Sequence, residues 1–327
     1  MSLLITGSIA TDHLMTFPGR FTDQFVEGQM ENVSLSFLVD DLIQHRGGAG
    51  ANMAYGLGLL GLTPVLVGSV GSDFADYDAW LTRHGVDTGD VRWSELKHTA
   101  RFVCTTDAVN NQIASFYSGA MSEAGEIELA PVCARVGAPD LVVIGPNDPK
   151  AMVRHTQECR DRGYAFAADP SQQLAWADGE MIRDLVDGAD LLFTNEYESA
   201  LLMQKTGWDA PEILARVGTW VTTRAAQGVL VRQQDADPIE VIAVPETKPV
   251  EPTGGGDALR AGFIAARTWG LGLERATQLG SAVATEAVEV VGTQEYELRR
   301  EPFLERFAAA FGDEAAAEVA THLPPQA

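Results

Sequence analysis

Short apolar runs rich in β-branched residues alternate with segments of helical period along most of this chain, and that alternation restricts the fold more than any other feature. Residues 3–9, 65–70, 141–144, 165–169, 191–195 and 220–223 read as strands. Residues 52–60, 75–83, 149–162, 180–186 and 197–206 lie between them with helical spacing. Strands joined through helices run parallel, because a parallel pair needs a long crossover, and a parallel sheet must be covered on both faces. The expectation is α/β: a mostly parallel sheet with helices on both faces. A hairpin-like pair, 228–232 and 239–244, ends the parallel part, and 256–269, 274–290 and 302–320 follow as helices.

Two segments break this rhythm. Residues 33–44 and 100–117 read as extended ribbons inserted between βα units, which predicts a small sheet beside the main layer. The second has two strand-like runs, 101–106 and 112–117, around a polar turn at 107–111, and so reads as a hairpin. A turn centred on Val109 sets Phe102 opposite Phe116 on one face, whereas a shift of one residue staggers them. With no internal repeat or low-complexity linker, residues 1–327 are expected to form a single domain, with β lid segments near 12–47 and 98–120.

Composition excludes several classes. The longest apolar runs, 141–145 and 191–193, are strand-sized, whereas a bilayer span needs about 20 residues. The first residues lack the basic region and cleavage site of a secretory signal, so a soluble, cytoplasmic protein without a membrane partner is expected. Cys104, Cys133 and Cys159 are widely separated, and the six histidines show no metal-ligand spacing. A formal charge of -23 argues against binding nucleic acid, which draws on clustered Lys and Arg. The same field repels a nucleoside triphosphate, so a nucleotide site here has to concentrate local donors or recruit a cation.

Chemistry concentrates in residues 252–263, where Gly254, Gly255 and Gly256 feed into a helical pattern at Asp257. Backbone N–H groups at such a helix start cradle an anion, and glycine lets a phosphoryl group approach closely. A carboxylate there sits beside the anion hole, where a base is needed to activate a hydroxyl. The same residues equally suit an ordinary N-cap, since Asp favours helix starts and Gly favours turns. A second glycine-rich helix start, residues 47–54, contains Gly48 and Asn52, whose amide both donates and accepts hydrogen bonds. No Gly-x-Gly-x-x-Gly turn follows the first strand, and no P-loop motif is present.

Gly47-Gly48 to Asn52, then Asn195-Glu196-Tyr197-Glu198, then Gly254 to Asp257 before Ala261-Gly262-Phe263 occur in an order and spacing that resembles the ribokinase-like (PfkB) carbohydrate and nucleoside kinase family. Residues 7–14, 34–41, 98–102, 114–116, 168–173 and 292–294 resemble its bacterial adenosine kinases in particular, so the likeness spans nearly the whole chain. The resemblance implies the ribokinase-like fold and transfer of phosphate from ATP to the adenosine 5'-hydroxyl. It implies Asp257 as general base, with the N–H groups of Gly254, Gly255 and Gly256 stabilising the transferring phosphoryl group. Ser8, Asp12, Gly48, Asn52, Phe102 and Phe116 are then substrate contacts, and Asn195, Thr223 and Gly228 nucleotide contacts. Asn195 and Glu198 are expected to organise Mg2+ through water. Each has a plainer reading: Asn195 as a strand-end residue, Glu198 as a first-turn helix acid, Asp12 as a turn or cap residue, and Thr223 as a strand end.

The chain also departs from the pattern. Ala225 stands where the family commonly has Gly, so a different backbone near ATP is expected. Leu259 replaces a commonly aromatic residue, which reads as a packing change. Glu251 replaces an Asp that often contributes to a monovalent-cation site, leaving that cation open. The motifs do not specify what carries the hydroxyl. A sugar kinase for ribose or fructose remains the enzymatic alternative, and a non-catalytic nucleoside-binding protein is the alternative from another class. Phe102 and Phe116 favour adenosine, because a purine offers a flat face for stacking. Buried lid core is the competing reading of the two rings. Open lid edges suit pairing with a second copy, a homodimer through the lid.

Overall fold

The computed structural model describes residues 2–25, 35–250 and 252–325. Its strands are β1 (Leu3–Thr6), β2 (Ala10–Thr16), β3 (Asp41–Gly47), β4 (Val65–Val67), β5 (Ser69–Val70), β6 (Arg92–Trp93), β7 (Ala100–Thr106) and β8 (Gln112–Tyr117), followed by β9 (Leu141–Ile144), β10 (Phe166–Ala168), β11 (Leu191–Asn195), β12 (Thr219–Thr223), β13 (Val229–Arg232) and β14 (Ile239–Val241). Eight of them form the main sheet in the order β14-β13-β12-β11-β10-β9-β1-β4. The run from β12 to β4 is parallel, and the antiparallel pair β13–β14 closes it, as the hairpin pattern predicts.

Side chains of the central strands divide by period two between two cores. Ile5, Leu66, Val143, Phe193 and Val221 enter one, with helices Ala49–Leu59, Ala75–Arg83, Gly255–Thr268, Leu273–Val288 and Arg300–Phe311. Leu4, Val65, Val142, Leu192 and Trp220 enter the other, with helices Leu129–Val136, Pro149–Arg162, Gly179–Val186 and Glu196–Thr206. A sheet buried on both faces explains why its strands read as continuous apolar runs. Each fully buried Leu, Ile or Phe contributes roughly 1.5–3 kcal/mol of transfer free energy, which holds both helical layers in place. Local signals set the helix ends. Asp148 caps Lys150 N–H ahead of Pro149, and Gly163 closes the same helix in the left-handed region. Among the described residues, no helix is long and apolar enough to cross a membrane.

Three expectations need correction. The run 302–320 is two helices, Arg300–Phe311 and Asp313–Ala320, because Gly312 between them adopts φ 91° and breaks the hydrogen-bond ladder. The first strand stops at Thr6, and the chain resumes as β2, which carries His13 and Asp12 and lacks the β-branched composition that marks a strand. The first inserted ribbon begins only at Asp41: residues 35–40 have no regular structure, and 33–34 lie outside the described residues.

β2 and β3 combine with the second inserted segment in a four-stranded sheet, β3-β2-β7-β8, beside the main one. The β7–β8 register pairs Phe102 with Phe116, the arrangement predicted for a turn centred near Val109. Asp107 fixes that turn by accepting N–H bonds from Val109 and Asn111, at 3.0 and 2.8 Å.

Candidate active site

Parallel strands present their carboxyl ends on one edge, and the loops leaving that edge converge there. Gly7-Ser8 follows β1, Pro146-Asn147 follows β9, Asp169 to Trp176 follows β10, Asn195 ends β11, and Thr223 ends β12. Two clefts open along this edge. One, of about 690 Å³, is lined by Ser8, Asp12, Gly48, Asn52, Phe102, Phe116, Gln173, Gly254 and Asp257, among others. The second, of about 730 Å³, is lined by Asn195, Thr223, Gly228, Gly255, Gly256 and Leu259, among others. They meet at the start of helix Gly255–Thr268, with Gly254 and Asp257 facing the first cleft and Gly255 and Gly256 the second.

Gly254 is the N-cap, at φ 83°, and a Cβ there would lie 2.9 Å from Thr293 Cβ, so only glycine suits the position. The first intrahelical bond runs from Ala258 N–H to Gly254 O, at 2.9 Å, and Gly255 N–H points to Pro252 O at 3.3 Å. Gly256 and Asp257 therefore carry the N–H groups that precede the helical ladder, aimed where the two clefts join.

Asp257 is partly accessible from the cleft. Asn52 Nδ2 donates to its Oδ2 at 2.8 Å, while Asn52 Oδ1 accepts from Gln294 Nε2 at 2.9 Å and lies 2.9 Å from the Thr293 hydroxyl. Most of the Asn52 amide is thus committed to orienting the carboxylate. Burial raises the Asp257 pKa to about 6, against the lowering influence of Arg260 and the Asn52 hydrogen bond, and the nearby Asp169 and Glu198 add to the rise. At neutral pH the group is ionised, with a basicity well above that of an ordinary Asp, which suits proton abstraction.

Arg260, one turn further along the same helix, is 6% exposed and donates to Asp169 Oδ1 at 2.6 Å; Asp169 is 0% exposed. Its Nη1 lies 2.7 Å from where a Gly256 Cβ would stand, so the guanidinium packs under the glycine turn. The ion pair joins the helix that carries Asp257 to the loop after β10. Arg260 falls within residues 252–263, but the motif by itself assigns it no part. The available signal is its spacing of three from Asp257, which places both on one helix face.

Asn195 and Glu198 form a capping box: Glu198 N–H donates to Asn195 Oδ1 and Asn195 N–H to Glu198 Oε2, each at 2.8 Å. Burial raises the Glu198 pKa, and Asp169 adds to the effect. Asn195, Glu196 and Tyr197 line the second cleft, whereas Glu198 is absent from its lining. Leu259 is 6% exposed in the core beneath the second cleft, whose lining it joins, in keeping with a packing role. Ala225 adopts φ 47°, the left-handed region that glycine favours and an alanine occupies only with strain. Ala225→Gly should stabilise the fold by roughly 1 kcal/mol, read as a higher urea midpoint at unchanged slope. An unchanged or lower midpoint would contradict that strain. Glu251 lies outside the described residues.

From the small sheet, Asp12 and Phe102 reach the first cleft together with Phe116. Phe116 is 54% exposed and Phe102 half-buried, so the buried-core reading does not describe this pair. Residues that sequence reading did not single out also line this cleft: His45, which pairs with Asp12 across the β2–β3 ladder, Asn147 and Trp176.

Residues 8–299 match the family model described as pfkB family carbohydrate kinase. The nucleoside kinase of Methanothermobacter thermautotrophicus is 30% identical over 318 residues, covering 95% of this chain and 97% of that protein. Among solved structures, Burkholderia thailandensis nucleoside kinase in complex with inosine aligns with a TM-score of 0.81 and 33% identity, covering 95% of this chain and 98% of that one. The same enzyme in complex with ADP-inosine gives 0.80 and 33%, over 95% and 96%.

Proposed function

The chain belongs to the pfkB family of carbohydrate kinases and is a phosphotransferase acting on a nucleoside or a sugar, and on that premise we propose that it transfers phosphate from ATP to the 5'-hydroxyl of adenosine or a close purine nucleoside. One observation carries the reading: two clefts on the carboxyl edge of the sheet meet at the first turn of a single helix, so a hydroxyl in one faces a phosphate in the other across Asp257 and the glycine turn. Asp257, held by Asn52, takes the proton from the hydroxyl as it attacks. The N–H groups of Gly256 and Asp257, where the glycine turn enters the helix, stabilise the charge on the transferring phosphoryl group. Ser8, Asp12, Gly48 and Asn52 surround the sugar, and Phe102 and Phe116 offer their faces to the base. Asn195, Thr223 and Gly228 line the side that receives ATP, a donor supported by the ADP-inosine complex of the Burkholderia enzyme.

Magnesium fits the residues present. A magnesium ion in phosphoryl transfer is held chiefly by phosphates and water, with one or two protein groups beside it. Asn195 lines the second cleft, and with its capping-box partner Glu198 it would hold the ion through water. When bound, the ion neutralises phosphate charge in a chain of net charge -23. The open edges β3 and β8, with Leu42 and Ile43 62% and 50% exposed, support a homodimer through the small sheet.

Turnover of adenosine, inosine, ribose and fructose with Mg-ATP, with and without EDTA, tests the reading. The expected kcat/KM for a purine nucleoside exceeds that for ribose at least about tenfold, the equivalent of one aromatic stacking contact. EDTA should abolish turnover and magnesium restore it. Equal or better use of ribose or fructose overturns the nucleoside assignment and leaves the kinase standing.

A further inference from the structure

The loop after β10 presents an aromatic side chain that nothing in the fold uses. Trp176 is 86% exposed, the highest value of any aromatic residue described, and lines the cleft that holds Asp257, Phe102 and Phe116. A scattered exposed apolar residue is ordinary on a protein surface. Trp176 differs because its backbone is pinned while its side chain is left in water. Lys205 Nζ donates to the carbonyls on either side of it, Ala175 O at 2.9 Å and Ala177 O at 2.8 Å. Its own N–H donates to Gln173 O at 3.0 Å. Gln173 Nε2 in turn reaches Asn147 O at 3.0 Å, and the Arg260–Asp169 pair anchors the start of the loop. Immobilising the backbone lowers the entropy cost of placing the indole against a ligand, and a large flat ring on a cleft wall is suited to a flat ligand.

We propose that Trp176 is a specificity-determining residue that covers the nucleobase of the bound purine nucleoside from the main-sheet side, while Phe102 and Phe116 cover it from the small sheet. The inference rests on the nucleoside reading above. A free pentose reaches the sugar-binding residues and leaves all three rings in water, so Trp176 contributes to discrimination between nucleoside and sugar and adds nothing for ribose itself.

Titrating the full-length protein with adenosine in the absence of ATP, followed by tryptophan emission, tests this directly. The parent, with six tryptophans, should show a saturable change in emission. Trp176→Phe should lose most of it. In steady state, Trp176→Ala should raise KM for adenosine about tenfold with a smaller change in kcat and lower the adenosine-to-ribose ratio of kcat/KM in proportion, and Trp176→Phe should recover most of the loss. A KM within about twofold of the parent in Trp176→Ala, or an emission change retained in Trp176→Phe, overturns the assignment. A parent that prefers ribose to adenosine refutes the nucleoside reading itself. A parent that prefers adenosine, with variants that keep its KM, refutes only the part given to Trp176.

Discussion

Asp257→Asn should lower kcat by about 100- to 10,000-fold, the usual cost of losing a general base, in a protein that remains folded. The amide keeps the shape of the carboxylate and still accepts a hydrogen bond from Asn52 Nδ2, but it cannot take the proton of the attacking hydroxyl. The parent should show an acid limb in its pH–rate profile, rising through about pH 6 as Asp257 ionises, and the variant's residual activity should lack it. Stability should move the other way. The folded-state pKa of about 6 lies above the ordinary value of 3.8, so the folded protein holds this proton more tightly than the unfolded chain does. Folding stability therefore falls as pH rises from 3.8 through 6, and the penalty is complete at neutral pH. Removing the charge should return on the order of 1–3 kcal/mol at pH 7, read from denaturant midpoints. Activity within a few-fold of the parent, measured on pure folded protein, would remove Asp257 from the reaction.

The largest loss of stability should come from Arg260→Met. Asp169 is 0% exposed, and Arg260 donates to its Oδ1 at 2.6 Å. Taking away the cation leaves an uncompensated buried carboxylate, at a cost of about 3–5 kcal/mol. Replacing the pair together, Asp169→Leu with Arg260→Met, should recover most of that loss, because an apolar pair has no charge to desolvate. Failure of the double variant to regain stability would mean that Arg260 acts through packing alone. The single variant also carries an enzymatic signature. Arg260 holds the Asp257 pKa down against burial, so without it that pKa rises above about 6 and the acid limb shifts to higher pH. An acid limb that stays in place would separate the ion pair from the base.

Much of this molecule can be read from short-range pattern. Strand-length apolar runs gave β9 and β11 to the residue, and the helices at 75–83 and 149–162 likewise, because a period of two or of 3.6 is written into a few consecutive residues. The β7–β8 hairpin and its Phe102–Phe116 pairing follow from a polar turn between two alternating runs. The glycine turn before Asp257 marks a helix start with free N–H groups, and those peptide properties need no knowledge of the rest of the chain.

Which loops face each other depends on strand order, and nothing local encodes it. Asn52 meets Asp257 across 205 residues, and Arg260 meets Asp169 across 91, because β1 and β10 both flank β9 in the sheet and the helix carrying Asp257 packs against helix Ala49–Leu59, which carries Asn52. The basicity of Asp257 is likewise a tertiary property, since burial and surrounding charges set it. Composition predicts glycine wherever φ is positive, yet at Ala225 the surrounding fold holds an alanine there. Trp176 is the plainest case. In sequence it reads as one more apolar residue after Leu174 and Ala175, and only the packing of the loop after β10 leaves its indole facing the cleft. Local periodicity determines which elements form and which faces they bury, whereas long-range packing free energy decides which side chains are brought together and which are left exposed to meet a ligand.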